Sequence, residues 1–250
     1  MDEDYILLRP GERLDDLECD GLRVIQNPAG FCFGVDALLL VDFARIDGGD
    51  AVLELGTGSG VVLILLAHRS GGGRFVGLEA EKTVAERAQR SLALNHMQDR
   101  VKLYHADLRQ AEQLLGRGQF DVVLANPPYG RASGRALPRH RERARARFEL
   151  GGTLADWLQA AAAQLRQGGR AYVVYRCARL PELLETATKV GLTPLRLRLV
   201  HDAPGLSAAL CLLALAKGAR GELAVEPPCI LHDEAGNKSR DWRRIYHETK

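Results

Sequence analysis

From residue 51 to residue 191 the chain alternates strand-like and helix-like apolar patterns, and this alternation leaves few folds open. "AVLEL" reads as a strand, "GVVLILLAHR" as a helix, "RFVGLEA" as a strand and "KTVAERAQRSLALN" as a helix. "VKLYHADL" and "FDVVLAN" read as further strands, and "TLADWLQAAAAQLRQ" as a helix that Gly168-Gly169 should stop. "RAYVVYR", "LPELLETATKVG" and "LRLRLVH" continue as strand, helix and strand, with Gly191 closing the helix. "SAALCLLALA" follows with no helix before it, so it should pair antiparallel. The succession predicts an α/β fold with a mostly parallel, doubly wound, seven-stranded sheet whose final strand is antiparallel.

Ahead of this core, Leu22–Gln26 is β-like, breaks at Asn27-Pro28 and resumes near Phe31 to Phe33, which predicts an N-terminal hairpin. Asp36 stands where an N-cap would, before the apolar helix "ALLLVDFA". The expected organisation is an extension over 1–35 and one α/β domain over 36–250, with an arginine-rich loop at 130–148. At 250 residues a single core suffices. Five scattered cysteines, never spaced C-x-x-C, support neither a disulfide frame nor a zinc site, and His68, His96 and His105 share no ligand spacing, so no metal is expected. The acidic start lacks the marks of a signal peptide, and the longest apolar runs fall short of the roughly 20 residues of a membrane span. A soluble cytoplasmic protein is expected, with monomer and weak dimer both open.

Chemistry gathers at the predicted strand ends. "LELGTGSG" places Gly56, Gly58 and Gly60 at the first strand-to-helix junction, with Thr57 between and Glu54 before them. Glycine there permits a tight turn and close approach of a ligand to the backbone. The dinucleotide fingerprint is G-x-G-x-x-G, whereas this spacing is G-x-G-x-G. Glu79 ends the second strand, 19 residues after Gly60, where a carboxylate can accept both hydroxyls of a ribose. Asp107, followed by Leu108, ends the third strand, where it can accept the exocyclic amine of an adenine. Glycine loop, ribose acceptor and adenine acceptor at successive strand ends are the layout of an S-adenosylmethionine site. No positive cluster awaits a pyrophosphate, which suits a cationic sulfonium ligand.

The fourth strand ends in Asn126-Pro127-Pro128-Tyr129. Two prolines fix φ and donate no hydrogen bond, and the residue before a proline is held extended, so the segment forms a stiff hook. Acceptors from Asn126 and the Pro127 carbonyl can bind both N–H groups of a conjugated amine, concentrating its lone pair and aiming it at a methyl donor. Tyr129 offers a face on which a base can stack. Next comes a segment with Arg131, Arg135, Arg139, Arg141, Arg143, Arg145 and Arg147 against Glu142 alone, about +6 locally in a chain of net charge +2. Beside a base-sized site these arginines are placed to hold phosphates.

With "LELGTGSG" and "NPPY", the chain resembles the class I S-adenosylmethionine-dependent N-methyltransferases, whose Rossmann-like fold matches the predicted sheet. The block "ERLDDLECDGLRVIQNPAGFCFGVDALLLVDFA" is similar to the start of the bacterial tRNA(Val) adenine-N6 methyltransferase family. The resemblance covers nearly the whole chain. It implies cofactor contacts from Gly56, Gly58, Glu79, Asp107 and Asn126, a target amine held by Asn126 to Tyr129, and a tRNA substrate methylated on an adenine beside the valine anticodon. The chain departs from that family at Arg147-Phe148-Glu149, where its members carry Arg-His-Glu. Two rivals share the hook or the scaffold: a protein glutamine N5 methyltransferase, and a non-catalytic RNA-binding protein.

Overall fold

A computed structural model of the protein describes residues 8–30, 32–130 and 151–246. The sequence alternation becomes β3 (Ala51–Leu55), α2 (Val61–Ser70), β4 (Arg74–Glu79), α3 (Lys82–Leu94), β5 (Val101–His105), α4 (Ala111–Leu115) and β6 (Phe120–Ala125). It continues as α5 (Leu154–Gln164), β7 (Leu165–Arg176), α6 (Leu180–Lys189), β8 (Leu192–His201) and β9 (Leu210–Lys217). Before this core lie β1 (Arg13–Asp16), β2 (Arg23–Gln26) and α1 (Val35–Phe43). After it come β10 (Ala224–Val225), β11 (Cys229–Ile230) and α7 (Arg240–Ile245).

The long strands form one sheet in the order β8-β9-β7-β6-β3-β4-β5, as seven strands were predicted, and the two-residue β10 and β11 add to β8 at the edge. Strands β3 to β7 run parallel, while β9 pairs antiparallel with β7 on one side and β8 on the other. Central β3 pairs with β4 through Leu55 opposite Leu78, and with β6 through Leu55 opposite Ala125. Strands buried on both faces must be apolar at every position, and the core divides with period two. Val52, Val122, Leu124, Tyr172 and Val174 face the layer of α1 and α2. Leu53, Leu55, Val123, Ala125, Val173 and Tyr175 face that of α5 and α6. Helix α2 is buried from Val61 through Ala67, because α1 packs across its outer side.

Three expectations need correction. The hairpin exists, but β2 pairs with Arg13–Asp16, not with the stretch near Phe31; Phe31 lies outside the described residues, and Cys32 and Phe33 are in no strand. Its placement is set by side chains of α3. Ser91 Oγ accepts from Ile25 N–H at 3.0 Å, and Asn95 both accepts from Arg23 N–H and donates to Arg23 C=O. Glu12, just before β1, is clamped by Arg87 and Arg90 at 2.6–3.1 Å with only 6% of its side chain exposed.

The second correction is to Asp36, which is not the N-cap of α1. Gly34 takes that place, and Asp36 sits in the first turn. Third, α5 ends at Gln164, before the glycines, because buried Leu165 already belongs to β7, paired with Phe120 of β6. Gly168, at φ +76°, turns the chain at an irregularity within that strand instead of capping the helix. Among the described residues no helix is long and apolar enough to cross a membrane.

Candidate active site

The chain runs from β3 outward to β4 and β5, then returns to lay β6 on the other side of β3. Connections therefore diverge at the carboxyl edge between β3 and β6, and an open α/β sheet has its ligand crevice at such a reversal. The glycine loop after β3 and Asn126–Tyr129 after β6 flank this point. Glu79 ends β4 and Asp107 follows β5 on one side, while Arg176 ends β7 on the other, with Arg179 just beyond.

Gly56, Gly58 and Gly60 all take positive φ, between +58° and +89°, the region that a side chain disfavours. At Gly56 space excludes a side chain as well: a Cβ there would lie 2.4 Å from Cη2 of Trp157. The loop is pinned from β4, where Glu79 accepts from Gly58 N–H at 3.0 Å and from Glu81 N–H at 2.8 Å. These two bonds orient the Glu79 carboxylate against the loop. Thr57, buried beside it, donates its N–H to Leu78 C=O at 3.0 Å.

Glu54 is 3% exposed, and its Oε2 has no hydrogen-bond partner among the described residues. Burial first, then the neighbouring Glu79 carboxylate, push its pKa well above the ordinary carboxylate range against a weak contact with Thr57. A buried, half-satisfied carboxylate is costly without a cation or donor. The methionine end of a sulfonium ligand carries both, so the residues present fit S-adenosylmethionine. Asp107 is engaged differently. It caps the short turn Leu108–Gln110 by accepting from Arg109 N–H, and the Arg109 guanidinium binds both its oxygens at 2.7–2.8 Å. Arg109 is 57% exposed. Leu108, buried, begins that turn.

In the hook, Pro127 and Pro128 are buried and Asn126 and Tyr129 half-buried. The Tyr129 hydroxyl lies 2.7 Å from the Asn126 side-chain oxygen and 2.9 Å from Asp36 Oδ2. The Tyr129 ring makes an edge contact with Tyr175 at 5.7 Å, and its carbonyl accepts from Arg179 at 3.1 Å. Arg179 is itself fixed by two bonds to Glu182 and lies over the Tyr175 ring. Exposed Arg176 places its guanidinium 5.9 Å from the centre of the Tyr129 ring, on the approach to the hook.

Sequence reasoning missed Asp36, Trp157, Arg176 and Arg179. Trp157 falls in the first turn of α5, where its spacing reads only as core, and the arginines follow a strand whose connection carries no motif. It also missed a cluster away from this edge, in which Cys19, Asp20 and His68 come within 4.8 Å, His68 bonding Asp20 at 2.7 Å. Arg131, Arg135, Arg139, Arg141, Arg143, Arg145 and Arg147, with Phe148, lie outside the described residues.

A family model described as a methyltransferase domain matches residues 46–210, more than half of the chain. A protein of Porphyromonas gingivalis named tRNA1(Val) (adenine(37)-N6)-methyltransferase is 30% identical over 185 residues, 72% of each chain. This chain belongs to that methyltransferase family. A member from Trichodesmium erythraeum with the same name is 26% identical over 77% of this chain and 80% of its own. A solved structure, a "predicted O-methyltransferase" from Agrobacterium tumefaciens, covers 85% of this chain and 95% of its own with a TM-score of 0.70 and 24% identity, a likeness of fold. Membership makes the protein an S-adenosylmethionine-dependent N-methyltransferase and gives the strand-end chemistry its cofactor.

Proposed function

We propose that the protein methylates the exocyclic N6 amine of an adenine in tRNA, adenine 37 of tRNA(Val) as the names of its relatives state for them. The observation that carries the reading is the proline-stiffened Asn126–Tyr129 hook on the strand next to the glycine loop, in a chain of this family. The cofactor supplies an electrophilic methyl group on a sulfonium. Glu54 would hold the cationic methionine end, Glu79 the ribose hydroxyls, and Asp107 with Leu108 the adenine, while the turn of Gly56, Gly58 and Gly60 with Thr57 admits close approach.

The amine of adenine is a weak nucleophile, since its lone pair is delocalised into the ring. Asn126 Oδ1 and the Pro127 carbonyl accept its two N–H groups, which localises that pair and orients it, while Tyr129 stacks the unstacked base. The product ammonium is acidic and sheds its proton without a strong base. Arg176 and the arginines at 131–147 would hold the phosphates around the extruded nucleotide. These arginines belong to the methyltransferase unit, residues 36–250, which follows an extension at 1–35.

The test is incubation of total tRNA with labelled S-adenosylmethionine, followed by nucleoside mass spectrometry. N6-methyladenosine in tRNA is the expected product. Another methylated base, or methyl transfer to a protein glutamine in its place, refutes the assignment.

A further inference from the structure

A hydroxyl has one proton to give, yet the Tyr129 oxygen faces two acceptors, Asp36 Oδ2 at 2.9 Å and the Asn126 side-chain oxygen at 2.7 Å. A charge-assisted bond is roughly twice as strong as a neutral one, so the carboxylate takes the proton. Only lone pairs then remain toward Asn126, where an amide oxygen is repelled and an amide N–H attracted. Amide oxygen and nitrogen exchange by a half-turn of the side chain at almost no steric cost, and the hydrogen-bond network decides between them. With Nδ2 donating to Tyr129, Oδ1 is turned to the opposite side, as an acceptor.

We infer that Asp36 is a positioning residue for the methyl-transfer site, fixing through the Tyr129 proton which way Asn126 presents its carbonyl. Asp36 acts through the Tyr129 hydroxyl. It stands in the first turn of α1, in chain terms 93 residues from Tyr129, and its Oδ1 accepts from Ala37 N–H at 3.1 Å, which orients the carboxylate. The helix N-terminus favours its charge. Room for it depends on Gly34, where a Cβ would lie 3.0 Å from Asp36 Oδ1. Burial of Tyr129, then the charge and hydrogen bond of Asp36, hold the phenol pKa well above its ordinary value, so the proton in the relay stays in place. Among the described residues, the titratable and charged groups around Tyr129 are Asp36, Cys211, Arg176 over its ring and Arg179 on its carbonyl. The N-terminal block thus acts on the chemistry of β6 by setting a hydrogen-bond direction.

The inference rests on the amine-binding role given to Asn126 under the proposed function, so its test has one arm that needs no substrate. In the ¹H–¹⁵N spectrum of the full-length protein, the Asn126 side-chain NH₂ pair is identified by its loss in Asn126→Ala. It is expected to move when Tyr129→Phe removes its acceptor and to move again in Asp36→Ala and Asp36→Asn. An Asn126 pair unmoved by both Asp36 variants overturns the relay, whatever the substrate proves to be.

The second arm is turnover on the tRNA substrate. Asp36→Asn, which keeps size and removes charge, should lower kcat about ten- to a hundredfold, with KM for tRNA, cofactor affinity and melting temperature retained. In a Tyr129→Phe background the same change should alter kcat less than about twofold, since non-additivity is the mark of residues acting in series. Equal losses in both backgrounds, or a rise in KM alone, overturn the inference. Absence of N6-methyladenosine from the wild-type reaction strikes the functional reading instead, and the spectrum still decides the relay.

Discussion

Gly56→Ala should damage the cofactor loop through two separable effects. An alanine at φ +67° costs roughly 1–2 kcal/mol for its left-handed backbone. Its Cβ would also sit 2.4 Å from Cη2 and 3.0 Å from Cζ3 of Trp157, where ordinary contact begins near 3.4 Å. Relieving that overlap moves either a buried indole on α5 or the loop itself by about 1 Å, and overpacking of this kind costs roughly 1–3 kcal/mol. The sum, about 2–5 kcal/mol, amounts to roughly 4–20 °C of melting temperature for a chain of this size. If the loop moves in place of the ring, stability is partly spared and cofactor affinity falls. Urea unfolding and calorimetric titration with S-adenosylmethionine, run on the same preparations, read both channels. Shortening the ring with Trp157→Phe in the Gly56→Ala background should recover the overlap portion and leave the backbone portion. Gly56→Ala with unchanged unfolding midpoint and unchanged affinity, or a double variant no better than additive, would refute the reasoning.

Three further outcomes follow from the same geometry. Glu12→Gln leaves Arg87 and Arg90 facing each other without their carboxylate and should cost about 3 kcal/mol in urea unfolding at neutral pH, the low end for breaking a buried pair. Burial raises the Glu12 pKa, but hydrogen bonds from Arg90, the Arg9 backbone and Arg87 outweigh it and hold it near 2, down from 4.5. Its stabilisation is therefore complete above about pH 4.5 and is lost as pH falls toward 2, a loss that Glu12→Gln should not show.

Glu54 has the opposite sign. Its raised pKa means that the cofactor-free fold loses stability as pH rises from the ordinary carboxylate range up through the folded value, so Glu54→Gln should stabilise the free protein above that range. The same change should weaken S-adenosylmethionine binding roughly ten- to a hundredfold by calorimetry, the worth of a bond to a charged group. Asn126→Ala should cut methyl transfer by on the order of a hundredfold or more while calorimetric cofactor affinity stays within about threefold.

Much of this was legible in the order of residues. Strands buried on both faces announce themselves as continuous apolar runs, so "AVLEL" could be placed to a residue and "FDVVLAN" to within one, the strand ending at Ala125. Glu79 then fell at the end of β4 by counting, whereas Asp107 stands two residues past His105, the end of β5, as the cap of the next turn. What escaped depends on partners distant in the chain. "RLDD" has no strand pattern and becomes β1 because β2 and α3 supply its register. Between β1 and β2, Glu18 and Asp20 take φ of +52° and +47°, values that an Asp signals weakly and a Glu not at all. Asp36 had the look of a helix cap, and only the folded chain shows Tyr129 against it. Leu165 joins a strand three residues ahead of the glycines because burial beside Phe120 outweighs a propensity signal.

The pairing of Leu55 with Ala125 has a wider consequence. The glycine loop and the hook leave the sheet at the same level on hydrogen-bonded neighbours, about 4.8 Å apart. Under the proposed function, the gap between methyl donor and acceptor is thus ruled off by backbone pairing in the sheet, and no loop has to measure it. Whatever follows Tyr129 can be exchanged, lengthened or recharged without disturbing that gauge. Under that function, substrate choice and reaction distance are in this way inherited on separate parts of the chain, and a protein so divided can change its target and keep its chemistry.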